Sequence, residues 1–103
     1  MSEVSVRDNP DESRFEAWLD GELAGYSAYE LTDDVITFTH TEVDDAFEGH
    51  GVGSALVRQS LDQVRESGTL QVKALCPFVR VWIEHHPDYQ DLVHVAPRST
   101  AKD

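Results

Sequence analysis

Glu48-Gly49-His50-Gly51-Val52-Gly53-Ser54-Ala55-Leu56 is the stretch on which the rest of the chain turns. Three glycines alternate, and a segment with helical periodicity follows at once. A glycine-rich turn opening a helix presents amide N–H groups without intrahelical partners, at the positive end of the macrodipole. That is a ready anion site, suited to the pyrophosphate of a nucleotide-like cofactor. Downstream, Val52, Ala55, Leu56, Ser60, Leu61 and Val64 fall on one helical face. Arg58, Gln59, Asp62, Gln63, Arg65 and Glu66 take the other. Gly68 supplies a C-terminal stop. The pattern predicts one helix over about residues 51–67, the longest element of the chain.

The half before the turn reads as four strands. Val4 and Val6 alternate with polar neighbours over about residues 3–7. Phe15, Ala17 and Leu19 alternate in a second strand, and Asp20-Gly21 is a hairpin signal. A third strand runs over about residues 22–31. Thr32-Asp33-Asp34 turns the chain into a β-branched fourth strand over 35–43. Short connections make these an antiparallel meander. After the helix, the segment 70–75 alternates as a fifth strand. A helical crossover between strands four and five implies that these two run parallel. Cys76-Pro77 then opens a short second helix over about 78–86, with Phe78 and Trp82 expected in the core and His85 and His86 exposed. Pro87 ends it. The segment 88–93 is expected to pack back on the sheet, one option being another short strand. Residues 96–103 read as a polar, frayed tail, which leaves one domain over 1–95.

The chain has 103 residues, enough for one core, and a formal net charge of -12. That charge argues against nonspecific binding to nucleic acid or an anionic membrane. No apolar run approaches the roughly 20 residues needed to span a bilayer. The N-terminus lacks a basic segment followed by an apolar one. Cys76 is the only cysteine, so no internal disulfide can form, and a cytoplasmic location is the expectation. The dispersed acids read as a strongly solvated surface or as an attraction for a cationic substrate such as an amine; a global charge does not separate the two. An anionic cofactor needs a locally positive site, from backbone dipoles or from Arg58, Lys73 and Arg80.

Three cofactor classes compete for the glycine turn. A P-loop requires Gly-Lys-Ser/Thr, and Gly53-Ser54 has no lysine. A dinucleotide fingerprint needs a third Gly or Ala where this chain has Ser54 or Leu56, early in a βαβ unit, whereas four hairpin strands precede this turn. Coenzyme A, its pyrophosphate held by the amides of a strand–turn–helix, is the remaining class.

Three blocks carry a resemblance. They are His40-Thr41-Glu42-Val43, the run from Phe47 through Gly49-His50-Gly51-Val52-Gly53-Ser54 to Val57, and Cys76-Pro77-Phe78-Val79 followed by Trp82-Ile83 and His86-Pro87-Asp88-Tyr89. Together they resemble the GNAT acetyltransferase superfamily, in its small single-domain branch of N-acetyltransferase domain-containing proteins. The resemblance implies an α/β (α+β) fold: a minimal GNAT-like, mainly antiparallel twisted sheet with one long and one short helix. It implies an acetyl-CoA-dependent N-acetyltransferase acting on an amine. The superfamily motif usually opens with Gln or Arg, where this chain has Glu48, so Glu48 is expected to face solvent. Backbone N–H groups of Gly49, His50, Gly51, Val52, Gly53 and Ser54 are expected to hold the phosphates. Backbone groups of Thr41, Glu42 and Val43 are expected along the pantetheine, where strands four and five splay apart.

Two residues are the catalytic candidates. Cys76 is expected at a helix N-terminus, which favours the thiolate. The resemblance places it near the acetyl thioester, as a nucleophile passing through an acetyl-cysteine; the alternative is a small buried hydrophobe. His40, ending strand four, is a candidate general base, with Glu42 behind it; the alternative is a locally bonded strand residue. A zinc site from Cys76, His85, His86 and Asp88 lacks standard ligand spacing. The competing function is a CoA-binding sensor or protein-interaction module with little catalysis, as a monomer or homodimer.

Overall fold

The computed structural model describes residues 3–93, so the expected tail over 96–103 lies outside the described residues. Strands β1 (Ser5–Asn9), β2 (Arg14–Leu19), β3 (Glu22–Thr32) and β4 (Val35–Val43) form the meander. The β2–β3 turn puts Asp20 and Gly21 at φ 53° and 80°, the left-handed values that a tight hairpin requires. Helix α1 (Val52–Ser67) then crosses over to β5 (Gln71–Ala74). The sheet order is β1-β2-β3-β4-β5; all pairs are antiparallel except β4–β5, which runs parallel from Val35↔Gln71 to Phe38↔Ala74.

Helix α1 buries Val52, Leu56, Val57, Ser60, Leu61 and Val64. These meet Phe15, Ala17, Ile36, Phe38 and Val72 of the sheet in one core. The other helical face is not wholly solvent-directed. Gln59 accepts from the Val6 amide at 3.2 Å and donates to the Val4 carbonyl at 2.9 Å, while Gln63 donates to the Val6 carbonyl at 2.9 Å. These amides clasp the outer backbone of the edge strand β1, which would otherwise offer unpaired groups to another chain.

Strand β4 contains a bulge. Tyr29 pairs with Phe38 and Ala28 with His40, so Thr39 is the extra residue. Before it, Ile36 and Phe38 point into the core. After it the parity reverses, as one inserted residue requires. Thr41 now shares the α1 face with buried Ser27, their hydroxyls 2.9 Å apart. His40 and Glu42 face the opposite way.

Helix α2 (Pro77–Glu84) starts one residue earlier than the expected range and stops before the paired histidines. Three expectations need correction. Phe78 is 46% exposed, not core, although Trp82 is buried. His86 is half-buried, its ring stacked on Trp82 at 3.7 Å. The segment after Pro87 is a 3-10 helix (Pro87–Leu92), with strand character reduced to a single parallel bridge, Val72↔Val93.

Candidate active site

The ladder between β4 and β5 ends early. Its last pair is Phe38↔Ala74, after which the Leu75 and Cys76 amides both donate to the Phe38 carbonyl, at 3.0 and 2.9 Å. Strand β4 continues to Val43. Its edge from Thr39 to Val43 therefore has no strand partner on the β5 side among the described residues. The N-termini of α1 and α2 follow these two strand ends. A crevice at the carboxyl ends of parallel strands is where open α/β sheets take ligands.

The glycine turn forms one wall. Asp44 caps a 3-10 turn (Asp45–Phe47), accepting from the Ala46 amide at 2.9 Å. Gly49 and Gly51 hold φ of 86° and 73°, which side-chain-bearing residues rarely adopt. The Ala55 amide makes the first helical bond, to Gly51, at 3.0 Å, leaving the Val52, Gly53 and Ser54 amides without intrahelical acceptors. The His50 amide is committed elsewhere, to the Phe47 carbonyl at 3.3 Å. Gly53 serves another purpose: a Cβ there would lie 2.9 Å from Cζ of Phe78, so its bareness seats that ring between the two helix starts. Glu48 is exposed, as expected.

Cys76 forms the fork. It is 4% exposed, is the N-cap of α2, and its thiol donates to Thr41 Oγ1 at 3.4 Å. Thr41 in turn contacts Ser27 Oγ. The sequence assigned Thr41 only a backbone role; its side-chain role depends on the Thr39 bulge. The structure thus brings Cys76, Thr41, Val43 and the glycine turn to one side of the sheet. His40 and Glu42 lie on the other.

That other face carries its own network. Glu42 accepts from the Tyr26 hydroxyl at 2.8 Å and lies 3.0 Å from His40 Nε2. These two bonds, the histidine's first, hold the Glu42 carboxyl below its ordinary pKa. The same bond pushes the Tyr26 hydroxyl up, with burial adding to it. Glu42 is therefore an anion at neutral pH. A cavity of about 180 Å³ adjoins this network, lined by Tyr26, Glu42, Val43 and Asp44 among others.

The expected cations separate. Lys73 and Arg80 line another cavity, of about 500 Å³, with Ile83 and Val93. Arg58 instead lies on α1 over the Trp82 ring, 5.3 Å from its centroid, and Trp82 Nε1 donates to Ser54 Oγ at 3.0 Å in the glycine turn. Among the described residues no group of His, Cys, Asp and Glu is placed to hold a metal ion, and no helix is long and apolar enough to cross a membrane.

The site is thus a parallel strand pair that opens between two helix N-termini, with a glycine turn on one side. The GCN5-related N-acetyl-transferase family model matches residues 14–92, and the chain belongs to that acetyltransferase family. Protein NATD1 of Gallus gallus is 32% identical over 63 residues, 61% of this chain and 56% of that protein. The match thus spans little more than half the length of that relative. The solution structure of a GCN5-like putative N-acetyltransferase from Staphylococcus aureus covers all of both chains, at 25% identity and TM-score 0.67. The ribosomal-protein-S18-alanine N-acetyltransferase of Escherichia coli shares the fold, with TM-score 0.62 at 15% identity over 82% of this chain and 76% of that one.

Proposed function

We propose that the chain is an acetyl-CoA-dependent N-acetyltransferase that acts on an amine. The observation that carries this reading is the fork: β4 and β5 part at Phe38, and Cys76 stands where they part. The residues present fit the cofactor. The free amides of Val52, Gly53 and Ser54 suit a pyrophosphate. The unpaired edge at Thr41, Glu42 and Val43 suits an extended, amide-bearing pantetheine arm. Acetyl-CoA would supply the activated thioester.

On the direct route the amine attacks the thioester carbonyl, the C–S bond breaks, and the amine loses a proton. His40, 3.0 Å from the Glu42 carboxylate, would accept that proton from an amine arriving over the open face. On the two-step route Cys76 Sγ would take the acetyl group as the C–S bond to coenzyme A breaks, its proton passing to the released coenzyme A sulfur. The amine would then displace Sγ, which regains a proton from the amine. Thr41 Oγ1, now an acceptor from the thiol, would rotate to donate to the thiolate.

A second reading is a CoA-binding module with little catalysis. It is favoured by the openness of the His40–Glu42 face, whose side chains are 58% and 62% exposed. Intact-mass measurement after incubation with acetyl-CoA, without and with candidate amines, separates the two. We expect acetylated amine from the wild type. Acetyl on the protein that is absent in Cys76→Ser and chases onto the amine supports the covalent route. Unchanged turnover in Cys76→Ser leaves direct transfer alone, and CoA binding without any acetylated product favours the binding module.

A further inference from the structure

Three amide dipoles are a small positive source for a cofactor that carries several phosphate charges, on a chain of net charge -12. Glu48 adds none. Arg58 lies one helical turn beyond Ser54, on the same face of α1, and is exposed. Its guanidinium is braced against two rings, 5.3 Å from the centroid of Trp82 and 5.8 Å from that of Tyr89. Trp82 connects this brace to the glycine turn through its bond to Ser54 Oγ. An indole N–H can only donate, so Ser54 Oγ accepts there and its own proton remains free for an anion.

The neighbouring acid bonds the same tyrosine and forms no ion pair with Arg58. Asp62, one turn further along α1, accepts from the Tyr89 hydroxyl at 2.7 Å. Arg58 itself forms no ion pair among the described residues, whereas Arg14 and Arg65 are paired with Glu16 and Asp91. One of its donors reaches the Tyr89 hydroxyl; a ring-braced guanidinium keeps four more N–H groups and is pre-organised for a phosphate oxygen.

We propose that Arg58, held by Trp82 and Tyr89, is the cationic partner of the phosphate groups of coenzyme A, supplying the charge that Glu48 does not. This rests on the acetyl-CoA reading and adds a binding residue to it. The test is titration of the whole protein with CoA, dephospho-CoA and pantetheine, wild type against Arg58→Gln and Arg58→Lys. Arg58→Gln is expected to weaken CoA about tenfold or more, the usual scale of a hydrogen bond to a charged group. Arg58→Lys is expected to fall between, and pantetheine, which has no phosphate, to bind all three alike. Equal loss for dephospho-CoA assigns the contact to the pyrophosphate; no loss for dephospho-CoA assigns it to the 3′-phosphate. A matching melting midpoint excludes loss of fold. The wild-type affinity should also fall with salt more steeply than that of Arg58→Gln. Undiminished CoA affinity in Arg58→Gln overturns the proposal alone; a wild type that binds no CoA overturns the cofactor reading as well.

Discussion

The two faces of this sheet stabilise the same strands by different means. On the α1 face, Phe15, Ile36 and Phe38 pack against Leu56 and Leu61 in an apolar core, and the polar chain Ser27–Thr41–Cys76 sits at its margin. On the open face Arg7 lies over Trp18 at 4.9 Å and Arg14 over Tyr26 at 4.8 Å. Beneath them Glu16, 7% exposed, accepts from Asn9 at 3.0 Å and Arg14 at 2.8 Å. The covered face is held by area removed from water; the open face is held by flat stacks and charged hydrogen bonds that leave it accessible. The difference matters for function. The Thr39 bulge sends Thr41 to the covered face beside the thiol and His40 to the open one, so nucleophile and base candidates address the fork from opposite sides.

The contrast can be broken most strongly from the covered side. Leu61 is fully buried, and Leu61→Ala should cost about 3 kcal/mol, through lost transfer energy and a residual cavity. Denaturant unfolding measures it; a cost below about 1 kcal/mol would mean that the helix–sheet interface is looser than its packing implies.

A smaller effect is expected at Glu16. Its carboxyl is held below the ordinary 4.5, first by the Asn9 bond, then, against opposing burial, by Arg14. A depressed folded-state pKa contributes stability that is fully present above pH 4.5 and is lost as pH falls through the folded value. Glu16→Gln should therefore cost about 2 kcal/mol at neutral pH, and the gap to wild type should close in acid. A gap independent of pH would assign the cost to shape rather than charge.

The smallest effect on stability is expected at His40, whose partner Glu42 is equally exposed. His40→Ala should leave the melting midpoint unchanged but lower amine acetylation about 100-fold, the low end for general-base catalysis. Unchanged turnover would hand the proton to water.

Much of this arrangement was legible in the order of residues. The Asp20-Gly21 hairpin, the β-branched run of β4, the apolar face of α1 and the glycines at both of its ends each carry a local signal, and each element lies within a residue or two of its expected range. The failures have different causes. Phe78 has the composition of a core residue, yet its surroundings are set by Gly53 on another helix. His86 reads as exposed beside His85, yet just past the end of α2 at Glu84 its ring stacks on Trp82. The Phe78 environment is set by a distant segment, whereas that of His86 is set by a ring four positions earlier.

The sequence by itself determined the elements, their order, the parallel β4–β5 crossover and the glycine turn, because propensity, period and backbone freedom are local properties. Only the tertiary structure decided which side chains meet. The Thr39 bulge is a matter of register against β3, and it places Thr41, rather than His40, beside Cys76. The seating of Arg58 over Trp82 and Tyr89 joins α1 to two later segments. Register and inter-helix contact are set by the whole core at once, which is why no single stretch announces them.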